Sequence, residues 1–150
     1  MRGDATRGPA IARPTDPGDQ AGQAAAQLCI SLRQGGYTDP IRVVGDEPYL
    51  PYQRPPLSKE MLATDYAPEK CYLAAMSAWA DNTIELRLDA PVEGLDRAAH
   101  RVRLAGGETV PYDRLLFATG GRVRKLTLPG ASLAGIHYIR TIKDALALKA

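Results

Sequence analysis

Cysteine is scarce in this chain, and the scarcity narrows its chemistry before any motif is read. The two thiols, Cys29 and Cys71, lie far apart in the sequence, so there is no Cys-x-x-Cys redox pair. With only two histidines beside them they make a poor metal set. The expectation is two buried or half-buried free thiols in a reducing compartment. No apolar run approaches the roughly 18 residues of a membrane span. The N-terminus carries no apolar segment of the signal-peptide kind, so the expected location is cytoplasmic. Charge of one sign is not blocked anywhere: the net charge is +2 with the basic residues scattered. That argues against a dedicated nucleic-acid or membrane-surface binder.

What is present suits one soluble globular domain. A chain of 150 residues, 45% of them hydrophobic, can bury a core of ordinary size. Residues 1–19 are the exception. They hold Gly, Pro, Arg, Asp and small residues, with one Ile and no aromatic, and cannot offset the entropy of ordering. They read as a disordered leader. Beyond it, Ala25, Leu28, Cys29 and Leu32 form one apolar helical stripe, stopped by Gly35 and Gly36. Asp39-Pro40 turns the chain into a β-branched strand over 41–44. A Pro-rich loop over 48–56 is held extended or turned by its prolines. Short helical pieces are expected over 57–62 and 76–80, and an alternating strand over 83–88. Residues 92–95, 101–104 and 109–112 read as an antiparallel meander with a Gly106-Gly107 turn. The run 115–118 reads as a buried parallel strand, residues 136–139 as one more strand, and 144–150 as the start of a helix. The expected class is α/β with a parallel sheet. His100 reads as a strand-surface residue, His137 as a packing residue, and Trp79 as part of a core or surface patch.

The helix start, Gln20-Ala21-Gly22-Gln23-Ala24-Ala25, occupies the place of a Gly-x-Gly-x-x-Gly/Ala dinucleotide loop. There the middle glycine admits a pyrophosphate to backbone N–H groups, and a small third residue permits close helix–strand packing. Gly22 and Ala25 satisfy those two roles, whereas Gln20 stands at the first glycine. An Ala-rich helix start without a ligand fits the same residues. Asp46, at the tip of the strand over 41–44, stands about 20 residues past that loop, where a carboxylate accepts hydrogen bonds from a ribose. It also reads as an ordinary solvated acid.

The segment from Gly45 to Lys59, GDEPYLPYQRPPLSK, closely resembles the loop after the second strand in FAD-dependent ferredoxin and rubredoxin reductases. These form a subgroup of the pyridine-nucleotide-disulfide oxidoreductase superfamily. Arg54 and Lys59 put cations near a pyrophosphate, and Arg can fork onto two oxygens. The resemblance continues through Tyr112 to Arg122 (YDRLLFATGGR), which matches a late strand and its Ala118-Thr119-Gly120 turn, and through His137 to Thr141 (HYIRT), which includes Arg140. Val92 matches a strand whose backbone contacts adenine. It runs from about Gln20 to Ala150 and implies a partial Rossmann-like FAD-binding domain with a small antiparallel meander, its first strand degraded or missing. The expected division is a leader over 1–19 and a truncated FAD-binding domain over 20–150. The resemblance assigns cofactor contact to Ala21, Gly22, Ala24, Ala25, Asp46, Arg54, Lys59, Val92, Ala118, Thr119, Gly120 and Arg140, and no catalytic acid, base, nucleophile or metal ligand.

By the same resemblance, the activity is transfer of electrons from NAD(P)H through FAD to a ferredoxin- or rubredoxin-type carrier. The nicotinamide site and the C-terminal domain of full-length relatives are not in this stretch. Residues 12–19, with Pro14 and Pro17, stand where relatives carry an apolar opening strand, and a frame-shifted start would produce such a composition. A non-catalytic remnant that binds FAD weakly or not at all is the alternative. A generic module for NAD(P) or another adenine nucleotide is a third, which the Pro-rich loop disfavours.

Overall fold

A computed structural model of the chain describes Ala10–Ile11 and residues 22–150. The other residues of the expected leader, and Ala21 with them, lie outside the described residues. Four strands form a parallel sheet: β1 (Ala10–Ile11), β2 (Ile41–Val44), β3 (Ile84–Arg87) and β7 (Leu115–Leu116), in the order β3-β2-β1-β7. Strands β4 (Val92–Asp96), β5 (Arg101–Leu104) and β6 (Thr109–Pro111) form a separate antiparallel sheet.

Helix α1 (Gln23–Gln34) covers one face of the parallel sheet. Its stripe of Ala25, Ala26 and Cys29 is buried against Ile41, Val43, Ile84, Leu50 and Trp79. Small side chains on the helix let it lie close to the β-branched strand. The helix ends as its glycines predict. Gly36 has φ +81°, its N–H donates to the Arg33 carbonyl, and the Tyr37 N–H reaches back to Leu32, which is a Schellman stop. The Arg33 guanidinium then donates to the carbonyls of Tyr37, Asp39, Asn82 and Thr83. One side chain thereby ties the end of α1 to the starts of β2 and β3.

The antiparallel sheet closes its own cluster of Val44, Val102, Leu104, Val110 and Tyr112. A third cluster gathers Tyr52, Leu57, Met61 and Cys71 with Ile142 and Ala145. It joins a 3-10 turn (Pro55–Ser58) and α2 (Glu60–Ala63) to α4 (Ile142–Lys149), which comes from far along the chain. The short α3 (Met76–Asp81) puts Trp79 into the first cluster at 3% exposure. Both cysteines are free and buried.

Three expectations need correction. The leader is not structureless throughout: Ala10 pairs with Arg42 and Leu115, and Ile11 with Val43 and Leu116, all in parallel. The backbones of β2 and β7 leave a ladder open between them, and two residues suffice to enter it. The run over 115–118 is parallel, but its strand is two residues long and covered only in part: Leu115 packs on the second cluster, while Leu116 is 45% and Phe117 50% exposed. Among the described residues no strand pairs with its outer edge, so apolar composition overstated its burial. Residues 136–139 form no strand, because no sheet edge meets them. Ile139 instead packs on the third cluster, and His137 is exposed rather than packed. His100 stacks on Tyr112 at 5.4 Å between centroids.

Candidate functional site

In an open parallel sheet the carboxyl ends of the strands form the crevice where ligands sit. The amino end is identified here by the Arg33 clamp on the starts of β2 and β3. Helix α1 ends at that clamp, so its N-terminus lies about 18 Å away at the carboxyl end. Gly22 caps it without a side-chain hydrogen bond, and the first turn carries no acid. The first N–H groups of α1 therefore keep their partial positive charge available to an anion. Ala25 is buried under the helix, as close packing requires, while Ala24 is exposed.

Strand β2 delivers Asp46 and Glu47 to the same end. Backbone bonds fix this turn: the Gly45 N–H donates to Arg87, Ala90 to Gly45, and Asp89 to Glu47. The Ala90 bond also leads the chain into β4, where Val92 is half-buried against the second cluster. The Pro-rich loop is anchored rather than loose. Pro51 is fully buried, its carbonyl accepts from Leu73, and the Gln53 N–H donates to Cys71.

Tyr52 is the pivot of the site. At 2% exposure, its hydroxyl donates to Glu47 Oε2 at 2.9 Å and accepts from the Ile142 N–H at 3.3 Å. Burial pushes the Glu47 carboxyl up to about 7, with Tyr52 and Arg54 pulling the other way. Burial, and then the Glu47 charge, raise the Tyr52 hydroxyl well above its ordinary value. The Arg54 guanidinium lies 5.8 Å from the Tyr52 ring centroid and donates to the Arg140 carbonyl. Burial lowers its pKa, with the Tyr52 charge opposing and the Arg140 charge adding to the drop.

Arg140 is set by the helix that follows it. Thr141 and Asp144 form a capping box on α4, and the Asp144 carboxylate accepts from the Arg140 and Thr141 N–H groups at 2.9 and 2.8 Å. Burial pushes that carboxyl up, but these hydrogen bonds outweigh it and hold it below the usual range. The Arg140 side chain reaches Gly120, which has φ +67°. A Cβ there would stand 3.0 Å from the guanidinium, so glycine is required both for the backbone and for the approach.

The structure thus gathers Asp46, Arg54, Arg140 and Gly120 around Glu47 and Tyr52. Thr119 is half-buried beside Gly120, and Ala118 packs on the first cluster. Lys59 does not join them: it is exposed at the start of α2 and makes no hydrogen bond or ion pair to another described residue through its side chain. Ala21 lies outside the described residues. Glu47 and Tyr52 were not singled out from the sequence, because a buried acid and its hydroxyl partner leave no spacing signature. The Thr141-x-x-Asp144 pattern was a readable capping signal that points to Arg140 being held.

A diphosphate with ribose hydroxyls suits this donor set. Two guanidiniums and a helix N-terminus meet an anion, and Asp46 offers an acceptor beside them. Arg140 Nε and Glu47 Oε1 are buried with no hydrogen-bond partner among the described residues, as expected of groups arranged for a ligand. No disulfide chemistry accompanies them. The Cys29 thiol is pushed up to about 11 by burial, against Arg33, Cys71 is raised by burial and by Glu60, and the two sit in different clusters. Among the described residues no group of three or more His, Cys, Asp or Glu could hold a metal. No helix there is long and apolar enough to cross a membrane. An open depression over the meander, lined by Gly94, Asp96, Arg101 and Thr109, shares no residue with the cluster.

The family model described as pyridine nucleotide-disulphide oxidoreductase matches residues 21–150. Rhodocoxin reductase of Rhodococcus erythropolis is 44% identical over 128 residues, which are 85% of this chain and 30% of that protein. A crystal structure of a ferredoxin reductase from Rhodopseudomonas palustris superposes with TM-score 0.81 at 36% identity, covering 94% of this chain and 33% of that one. The covalent putidaredoxin reductase–putidaredoxin complex gives TM-score 0.80 at 34% identity, covering 97% and 34%. The chain therefore spans about a third of the length of the relatives it matches.

Proposed function

Because this chain belongs to the pyridine nucleotide-disulphide oxidoreductase family, we propose that it is the FAD-binding portion of a ferredoxin-reductase-type enzyme. Such an enzyme passes electrons from NAD(P)H through flavin to an iron–sulfur protein. The observation that carries the reading is the convergence of Asp46, Arg54, Arg140 and Gly120 at the carboxyl end of the parallel sheet. The names of the similar reductases supply the reaction class.

In this reading the N-terminus of α1 and Gly22 take the pyrophosphate, with Ala24 beside it and Ala25 setting the helix depth. Arg54 neutralises the diphosphate, Asp46 accepts from the ribose, and the backbone near Val92 lines the adenine region. Thr119, Gly120 and Arg140 lie toward the flavin, with Ala118 packing beneath the turn. Lys59 is an outer cation of the same Pro-rich segment. When bound, FAD would supply the redox chemistry, and these residues would bind and orient it. The chain's own thiols take no part.

Titration of the purified protein with FAD, followed by absorbance and flavin fluorescence, tests this directly. A complex that NADH does not displace, and that Asp46→Ala weakens, is the expected result. A second reading, a fold that holds FAD weakly or not at all, is favoured by the two-residue β1 and the half-exposed β7. A colourless protein that gains no thermal stability from excess FAD would select it.

A further inference from the structure

We propose that Glu47 couples proton uptake to dinucleotide binding, so that the charge on its buried carboxyl group sets how tightly the site holds a diphosphate. The inference rests on the dinucleotide reading above and adds a control to it.

Glu47 cannot turn away from the site. One oxygen is held by the Tyr52 hydroxyl, which is itself held by the Ile142 N–H. The other is buried with no hydrogen-bond partner among the described residues. Charged groups face it from every neighbouring element. Asp46 stands beside it at the tip of β2, and Tyr52 and Arg54 come from the Pro-rich loop. Asp89, in the link to β4, donates its N–H to the Glu47 carbonyl. Arg140 precedes α4, and Asp144 begins it. Arg87, whose carbonyl holds Gly45, spends its side chain on Glu85 and Glu108.

Ionised, Glu47 offsets one of the two guanidiniums, Arg54 and Arg140, that a diphosphate needs. Neutral, it leaves both to the anion. Its titration is centred near neutrality, since burial lifts the carboxyl to about 7. A diphosphate, an adenine and an oxidised flavin hold constant charge between pH 6 and pH 8, so a slope in that window belongs to the protein. An arriving dianion raises the cost of the Glu47 charge, and the group takes up a proton as the ligand binds. Affinity then falls as pH rises through neutrality. Raising the Glu47 pKa by one pH unit on binding gives a limiting effect of about tenfold in alkaline buffer, about half of which is reached by pH 8.

The test is FAD affinity at pH 6, 7 and 8, by fluorescence, for the wild-type chain and two variants. The wild type is expected to bind about fivefold tighter at pH 6 than at pH 8. Glu47→Gln keeps an acceptor for Tyr52 but carries no charge. It should lose the slope and bind more tightly than wild type at pH 8, the reverse of what structural damage does. Tyr52→Phe keeps the carboxyl group and removes a donor to its ionised form, so its slope should persist and move to higher pH. An affinity independent of pH in the wild type, or an unchanged slope in Glu47→Gln, would overturn the proposal alone. No FAD binding by the wild type at pH 6 would overturn the dinucleotide reading and this proposal with it.

Discussion

Replacing Glu47 by Gln should stabilise the ligand-free chain in alkaline buffer and leave it nearly unchanged in acid. The sign follows from linkage. The Glu47 pKa stands at 4.5 in a solvated chain and at about 7 when folded. Between those values the folded state holds the proton that the unfolded state has released. Stability is therefore complete below 4.5 and declines as pH rises through about 7. At about 1.4 kcal/mol per pH unit, the full decline has an upper bound of about 3 kcal/mol, reached near pH 8, because solvent screens a half-buried group in part. The amide removes the charge but places an NH2 where the unpartnered carboxyl oxygen now sits, which costs about 1 kcal/mol. The net gain at pH 8 is at most about 2 kcal/mol, or about 4–8 °C in Tm for a chain of this size. At pH 5 the folded carboxyl group is almost wholly protonated, and the two effects nearly cancel. Thermal melts of both proteins at pH 5, 6, 7 and 8, without FAD, measure the difference. A Glu47→Gln chain that melts lower than wild type by the same amount at every pH would refute the argument.

Other substitutions separate the two ends of the sheet. Arg33→Ala removes donors to four carbonyls at the amino end and should cost about 1–2 kcal/mol in urea unfolding, with FAD affinity per folded molecule unchanged. Gly120→Ala must accept φ +67° and a Cβ 3.0 Å from Arg140. A loss of about 1–2 kcal/mol should come with weaker FAD binding, and Gly120→Ala paired with Arg140→Ala should recover part of the stability. Thr141→Ala breaks the capping box of α4 and should lower stability by about 1 kcal/mol, read by chemical denaturation. It should also loosen FAD, since the same Asp144 carboxylate holds the Arg140 backbone.

Periodicity was enough for the elements that pack by repeating patterns. The stripe of Ala25 and Cys29 located α1 and its buried face, and the glycines after it located the stop. Alternation located β3, and the glycine turn located β5, where Val102 and Leu104 point inward between exposed arginines. The places where the reading went astray depend on partners remote in sequence. Ala10–Ile11 has no strand signature of its own, and its conformation comes from the two neighbours that flank it. Leu116 and Phe117 have core composition, but burial belongs to what covers a residue and not to the residue. The candidate site divides the same way. Asp46 and Arg54 were visible in one contiguous segment. Glu47 and Tyr52 gain their importance only when α4, ninety residues downstream of Tyr52, returns to place Ile142 over the hydroxyl.

The shortness of β1 has a mechanical corollary. Strands β2 and β3 present Asp46 on one flank, β7 leads to Gly120 on the other, and among the described residues they meet within the sheet only through Ala10 and Ile11. A molecule reaching from Asp46 to Gly120 would straddle that narrow seam and act as a brace across it. Ligand occupancy and cohesion of the two flanks would then rise and fall together.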